Sequence, residues 1–108
     1  VKKTYLISGR KQWTTNGSIA DILTVMARTP DGKITAFIVT PDMPGFKVLD
    51  ASLEKVGMRG STTSNLLFDN VEVPEANILG PMGGGLKVCL TVLDYGRTTF
   101  GATCTGVA

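Results

Sequence analysis

The sequence contains no histidine and only two cysteines, Cys89 and Cys104. Without histidine, Ser-His and Cys-His nucleophilic catalysis cannot be built from this chain alone. With no cysteine pair either, a transition-metal site lacks its usual ligands. If both cysteines lie on one continuous helix, their Cα atoms stand about 22 Å apart, whereas a disulfide needs less than about 7 Å. They read as buried thiols in a reducing compartment. No apolar run approaches the ~20 residues of a membrane span. Excess charge is scarce as well. The net charge is +2 and the basic residues are scattered, which argues against the basic stripe of a nucleic-acid interface. The start, Val1-Lys2-Lys3-Thr4-Tyr5, has neither an initiating methionine nor a leader pattern. It reads as a cut inside a longer protein, with no signal peptide.

What is present suffices for one packed domain or a piece of a larger one: 108 residues, 43% of them hydrophobic. The single tryptophan lies in Gln12-Trp13-Thr14-Thr15-Asn16-Gly17. Thr14 and Thr15 are β-branched and favour a strand. Residues two apart on a strand share a face, which sets the Trp13 ring beside the Thr15 hydroxyl. Asn16-Gly17 tolerates positive φ and marks a turn. A flat ring beside a hydroxyl donor suits a planar heterocycle with hydrogen-bonding nitrogens. A core tryptophan followed by a turn is the plainer reading of the same residues.

The rest of the chain reads mainly as strands. Lys3 to Ser8 alternates, and Gly9-Arg10 is expected to turn it into the Trp13 strand as a hairpin. Asp21 to Arg28, Ile34 to Thr40, Phe46 to Leu49 and Ser64 to Val73 follow, punctuated by Pro30-Asp31-Gly32 and the two prolines of Pro41 to Gly45. Short strands joined by Gly, Pro and Asn turns predict an antiparallel β-sandwich or open β-barrel.

After Gly83-Gly84-Gly85 the pattern becomes helical: Leu86, Cys89 or Leu90, Leu93, Arg97 and Phe100 recur at three and four. Beyond Phe100 small residues dominate, and glycine weakens a helix by about 1 kcal/mol relative to alanine. Such a segment is expected to be helical only with another helix on its small face. Alone it should be disordered or pair with a second copy. The glycines themselves fit neither nucleotide fingerprint. Gly85 is followed by Leu86-Lys87-Val88 rather than Lys-Ser or Lys-Thr, and Val88 stands where a third glycine would be needed.

From Lys55 to Gly80 the chain reads KVGMRGSTTSNLLFDNVEVPEANILG. In order and spacing, Lys55, Gly57, Arg59, Ser61, Thr63, Phe68, Val71, Val73, Pro74, Asn77, Leu79 and Gly80 resemble the acyl-CoA dehydrogenases. Lys11 to Gly17 is similar to that family's flavin-contact stretch, Ala36 to Val39 to its central strand, and Gly83, Gly85, Leu93 and Arg97 to the opening of its next helix. The resemblance covers essentially the whole chain.

It implies a middle β-domain, residues 1–82, followed by the first helix of a C-terminal helical domain, residues 83–108. FAD is the implied cofactor. Trp13 would lie against the isoalloxazine ring and Thr15 would hydrogen-bond near flavin N5. Thr14, where the family usually has isoleucine, completes the stretch. Asp94-Tyr95-Gly96-Arg97 matches the family's contact with the CoA part of an acyl-CoA substrate. Read without the resemblance, Asp94 and Arg97 would be an ion pair on a helix face. Some members place the catalytic glutamate immediately before this arginine. Gly96 stands there, so no catalytic base is expected within this chain. Lys55, Arg59, Ser61 and Thr63 read mainly as structural, satisfying backbone groups at a bend. The implied reaction is α,β-dehydrogenation to a trans-2-enoyl-CoA, with electrons passing to an electron-transfer flavoprotein. The implied setting is a homo-oligomer in a bacterial cytoplasm or mitochondrial matrix, with this piece inactive alone. An acyl-CoA oxidase, a non-catalytic assembly factor on the same fold and a plain β-sandwich binding module are the alternatives.

Overall fold

The computed structural model describes residues 3–108. In chain order it contains β1 (Thr4–Thr15), β2 (Leu23–Arg28), β3 (Ile34–Val39), β4 (Phe46–Val48), β5 (Thr63–Pro74), a 3₁₀ turn (Glu75–Asn77), β6 (Ile78–Leu79) and α1 (Gly85–Val107). The strands form two three-stranded sheets, β1-β5-β4 and β2-β3-β6. By compactness the chain divides into two units. One holds the residues up to Val25 together with Ile38–Asn77, and the other holds Met26–Phe37 with Ile78–Ala108.

The first unit is organised by β5. Ser64, Leu66, Phe68, Val71 and Val73 are buried along it, the period-two pattern of a strand with one covered face. Its antiparallel pairing with β1 runs from Thr4↔Pro74 to Thr15↔Thr63. The hairpin expected at Gly9-Arg10 does not form. The chain continues through Gly9 as one strand because β5 supplies an equally long partner. The local irregularity is absorbed as a register shift between Ile7 and Gly9. The one extra residue falls on β5, where Asp69 and Asn70 oppose Ser8 alone, Asn70 takes a φ of 52° and its N–H donates to Ser8 Oγ at 3.1 Å. Phe46 of β4 meets Phe68 edge to face at 5.4 Å. The turn before β4 needs a glycine. Gly45 has a φ of 90°, and a Cβ there would stand 2.2 Å from the Asp69 carbonyl oxygen.

In the second unit, Ala36↔Leu79 and Phe37↔Ile78 pair β3 with β6. The Thr29–Gly32 turn closes with Gly32 N–H donating to Thr29 O at 2.8 Å. The buried Thr35 hydroxyl donates to Met82 Sδ at 3.3 Å and accepts from the Gly83 N–H at 2.9 Å. Gly85, the first residue of α1, lies directly on β3. A Cβ at this position would stand 2.7 Å from both the Ala36 nitrogen and the Thr35 carbonyl carbon.

From that seat α1 runs unbroken to Val107, although every residue from Leu90 onward is exposed. A regular helix thus stands where disorder after Gly85 is one of the expectations. Once the first turn is held, each further residue adds a hydrogen bond without a new nucleation cost. The hydroxyls also stay local: Thr98 donates to the Asp94 carbonyl, Thr99 to those of Tyr95 and Gly96, Thr103 to that of Thr99 and Thr105 to that of Gly101. Both cysteines are free. Cys89 is half-buried, but Cys104 is exposed rather than buried, because the small-residue end of α1 is uncovered. Among the described residues, no helix is long and apolar enough to cross a membrane.

Candidate functional site

Trp13, Thr14 and Thr15 end β1 within the first unit. Between the pairs Lys11↔Leu66 and Thr14↔Ser64, two β1 residues oppose Asn65 alone. Trp13 occupies this bulge with a φ of 55°. A bulky L-residue gives up about 1–2 kcal/mol in the left-handed region. Gln12 and Trp13 are both exposed, Thr14 is half-buried and Thr15 is exposed. The bulge therefore resets the alternation, leaving Trp13 and Thr15 outward and Thr14 inward. The Trp13 side chain is 73% exposed, so it is not a core tryptophan among the described residues.

The turn behind these residues is built closely. A Cβ on Gly17 would lie 3.1 Å from Thr14 Cβ and 3.2 Å from Leu66 Cδ2, so Thr14 is seated against this glycine and the Leu66 side chain. Asn16, with a φ of 57°, donates its N–H to Thr62 O at 2.9 Å. Ser61 Oγ donates to Asn16 Oδ1 at 3.4 Å. Neighbouring Thr62 has a buried hydroxyl with no hydrogen-bond partner among the described residues. The loop that carries these groups is held by Lys55 Nζ donating to Ser61 O and by Arg59 Nε donating to Lys55 O at 2.8 Å.

Asn65 and Asp50 were not evident as part of this site from sequence. The Trp13 N–H donates to Asn65 Oδ1 at 3.3 Å, and Asn65 Nδ2 donates to Asp50 Oδ2 at 2.8 Å. Asn65 on β5 and Asp50 in the loop after β4 are half-buried polar residues that read in sequence as ordinary surface, and only the register with β1 brings Asn65 to Trp13.

In the second unit, Asp94, Tyr95, Gly96 and Arg97 follow one another on α1 and are all exposed. Among the described residues, Asp94 and Arg97 form no ion pair, leaving the guanidinium fork uncommitted on the helix surface. A Cβ on Gly96 would meet nothing within 4 Å. No cluster of three potential metal-ligating side chains occurs among the described residues.

Residues 1–71 match the family model of the acyl-CoA dehydrogenase middle domain. The chain belongs to the acyl-CoA dehydrogenase family. It is 42% identical over 107 residues to a mitochondrial 2-methylacyl-CoA dehydrogenase of Solanum tuberosum, covering 95% of this chain and 26% of that protein. Against an acyl-CoA dehydrogenase of Bacillus subtilis it is 45% identical over 108 residues, covering 96% of this chain and 28% of the relative. Among solved structures, a Bacillus anthracis acyl-CoA dehydrogenase complexed with FAD superposes with a TM-score of 0.82 at 34% identity, covering 87% of this chain and 16% of that one. The chain thus spans little more than a quarter of the length of these curated family members.

Proposed function

We propose that this chain is the flavin-facing middle domain, residues 1–82, and the first helix of the C-terminal domain, residues 83–108, of an FAD-dependent acyl-CoA dehydrogenase. The observation that carries this reading is the exposed Trp13, held on a strained bulge two residues before the exposed Thr15. Strain retained at an exposed aromatic suits a surface shaped for a ligand. The residues fit a flavin: Trp13 offers a flat apolar face and Thr15 a hydrogen-bond donor, while Thr14, turned toward Gly17 and Leu66, fixes the backbone between them. FAD, when bound, supplies the two-electron acceptor for dehydrogenation of the acyl thioester.

On α1, the free planar fork of Arg97 suits the phosphates or adenine edge of CoA. Asp94 and Tyr95 flank it, and Gly96 keeps the approach open. Gly96 has no side chain to accept a proton, so a carboxylate elsewhere in the full-length protein removes the α-proton. The product is a trans-2-enoyl-CoA and the electrons pass to an electron-transfer flavoprotein. The full-length protein acts as a homo-oligomer in a bacterial cytoplasm or mitochondrial matrix, and the 108-residue chain is inactive alone.

Anaerobic mixing of the full-length protein with acyl-CoA thioesters tests the reading. Bleaching of the flavin absorption is expected, followed by reoxidation by an electron-transfer flavoprotein faster than by oxygen. A flavin that every acyl-CoA leaves oxidised would overturn it, and faster reoxidation by oxygen would identify an oxidase.

A further inference from the structure

The bulge at Trp13 costs conformational energy, and what holds it is a side chain rather than a backbone ladder. Asn65 stands opposite the extra residue and accepts the Trp13 N–H through Oδ1 at 3.3 Å. Its backbone carbonyl is already engaged on the other edge, accepting from the Leu49 N–H at 2.9 Å. The carboxamide therefore replaces the backbone partner that the register shift removes.

An amide could present either its oxygen or its nitrogen to Trp13. An N–H only donates, and a carboxylate oxygen accepts. Asn65 Nδ2 donates to Asp50 Oδ2 at 2.8 Å, which leaves Oδ1 toward Trp13. A flipped amide would set oxygen against carboxylate and NH₂ against N–H, so Asp50 selects the one orientation that serves the bulge. The first bulge in the same strand pair works alike. There the Ser8 hydroxyl, opposite on β1, accepts the N–H of the left-handed Asn70. A side-chain acceptor across the pair is thus used at both register shifts.

We infer that Asn65 and Asp50 are positioning residues for Trp13: Asp50 orients the Asn65 carboxamide, and Asn65 holds the bulge that turns the indole outward. This deepens the flavin-facing reading and rests on it for its functional consequence.

The test uses the full-length protein with Asn65→Asp, Asp50→Asn, and both changes together. Asn65→Asp sets two carboxylates against each other, while the combined change restores an acceptor for Trp13 and a donor–acceptor pair in reversed sense. One readout, hydrogen exchange at the Trp13 amide in the flavin-free protein, needs no activity. The second is flavin fluorescence in the loaded protein, which a stacked indole quenches. Asn65→Asp is expected to speed Trp13 exchange about tenfold, the scale of one lost hydrogen bond, and to relieve the quenching. The combined change is expected to restore both. If Asn65→Asp does not fold, Asp50→Asn decides. An amide at position 50 no longer selects the orientation, so exchange is expected to rise severalfold. Folded variants with unchanged exchange, or a combined change that restores nothing, would overturn the inference. Trp13→Leu separates the two levels. If it leaves flavin fluorescence unaltered, the flavin-facing reading fails, while the exchange data still decide what positions Trp13.

Discussion

Asn70 and Ser8 close the first register shift of the β1–β5 pair, with the Asn70 N–H donating to Ser8 Oγ at 3.1 Å and the Ser8 hydroxyl donating to Asn70 Oδ1 at 3.1 Å. The residue in the left-handed region here is an asparagine, which tolerates it. At the second shift that place falls to a tryptophan. Asn70→Gly keeps the φ of 52° that both residues accept and gives up the exposed Ser8–Asn70 side-chain hydrogen bond, so a loss of no more than about 0.5 kcal/mol is expected in urea melts. Asn70→Val should lose about 1–2 kcal/mol from the β-branched clash alone. Equal melting midpoints for the two would show that the bulge relaxes instead of holding its conformation.

Two glycines of α1 should respond to alanine in opposite directions. At Gly85 a Cβ would meet β3 backbone atoms at 2.7 Å, and backbone cannot swing aside as a side chain can. Gly85→Ala is expected to destabilise by about 1–3 kcal/mol through overpacking. Gly96 faces open space, so Gly96→Ala should gain about 1 kcal/mol of helix propensity. Thermal melts followed at the helical circular-dichroism band distinguish them. If Gly85→Ala melts higher than the parent, the close seat on β3 is wrong.

In the full-length protein, Thr15→Val should slow flavin reduction far more than it weakens acyl-CoA binding. A donor aimed at developing negative charge is worth about 3 kcal/mol in the barrier, roughly a hundredfold in rate. Stopped-flow reduction against substrate concentration separates the rate from the affinity. Weaker affinity at an unchanged limiting rate would remove Thr15 from the reacting region.

The Thr29 hydroxyl beside Asp31, with the Lys33 N–H and ammonium adding to it, holds the Asp31 carboxyl below its ordinary range. A lowered folded-state pKa stabilises the fold above the unfolded value, about 3.9 for aspartate. That contribution is lost as pH falls through the folded value. Thr29→Val should therefore raise the Asp31 midpoint in a carbon-detected NMR titration and leave less stability to lose on acidification below about pH 4. An unmoved midpoint would assign the shift to Lys33 alone.

The strands with a covered face were legible because burial writes a period of two into them. Ser64 to Val73 was read within a residue of β5, and Ile34 to Thr40 within a residue of β3. Gly9-Arg10 misled because a glycine between alternating runs looks the same whether the chain reverses or merely slips register. What decides is the length of a partner strand more than fifty residues away. For α1, the three-and-four spacing from Leu86 to Phe100 reads correctly as a helix, while counting glycines points to disorder and overlooks the seat at Gly85. At the candidate site, Trp13 and Thr15 stand out in sequence by composition and spacing. Asn65 and Asp50 do not, because Asn65 comes opposite Trp13 only through the β1–β5 register and Asp50 reaches Asn65 only through the β4–β5 pairing.

The threonines of α1 carry one more implication. Thr98, Thr99, Thr103 and Thr105 spend their hydroxyls on carbonyls of their own helix. A hydroxyl moved from water into apolar surroundings without a partner costs about 1–3 kcal/mol on protein-derived scales. These four bring their partners with them, so most of that penalty is removed in advance. To an approaching surface the outer end of α1 therefore presents methyl groups and glycine backbone, with the polarity of its sequence folded inward along its own axis. The helix is compatible with water on all sides and equally with a dry neighbour, and the change of surroundings asks for no new hydrogen bond at any of these hydroxyls.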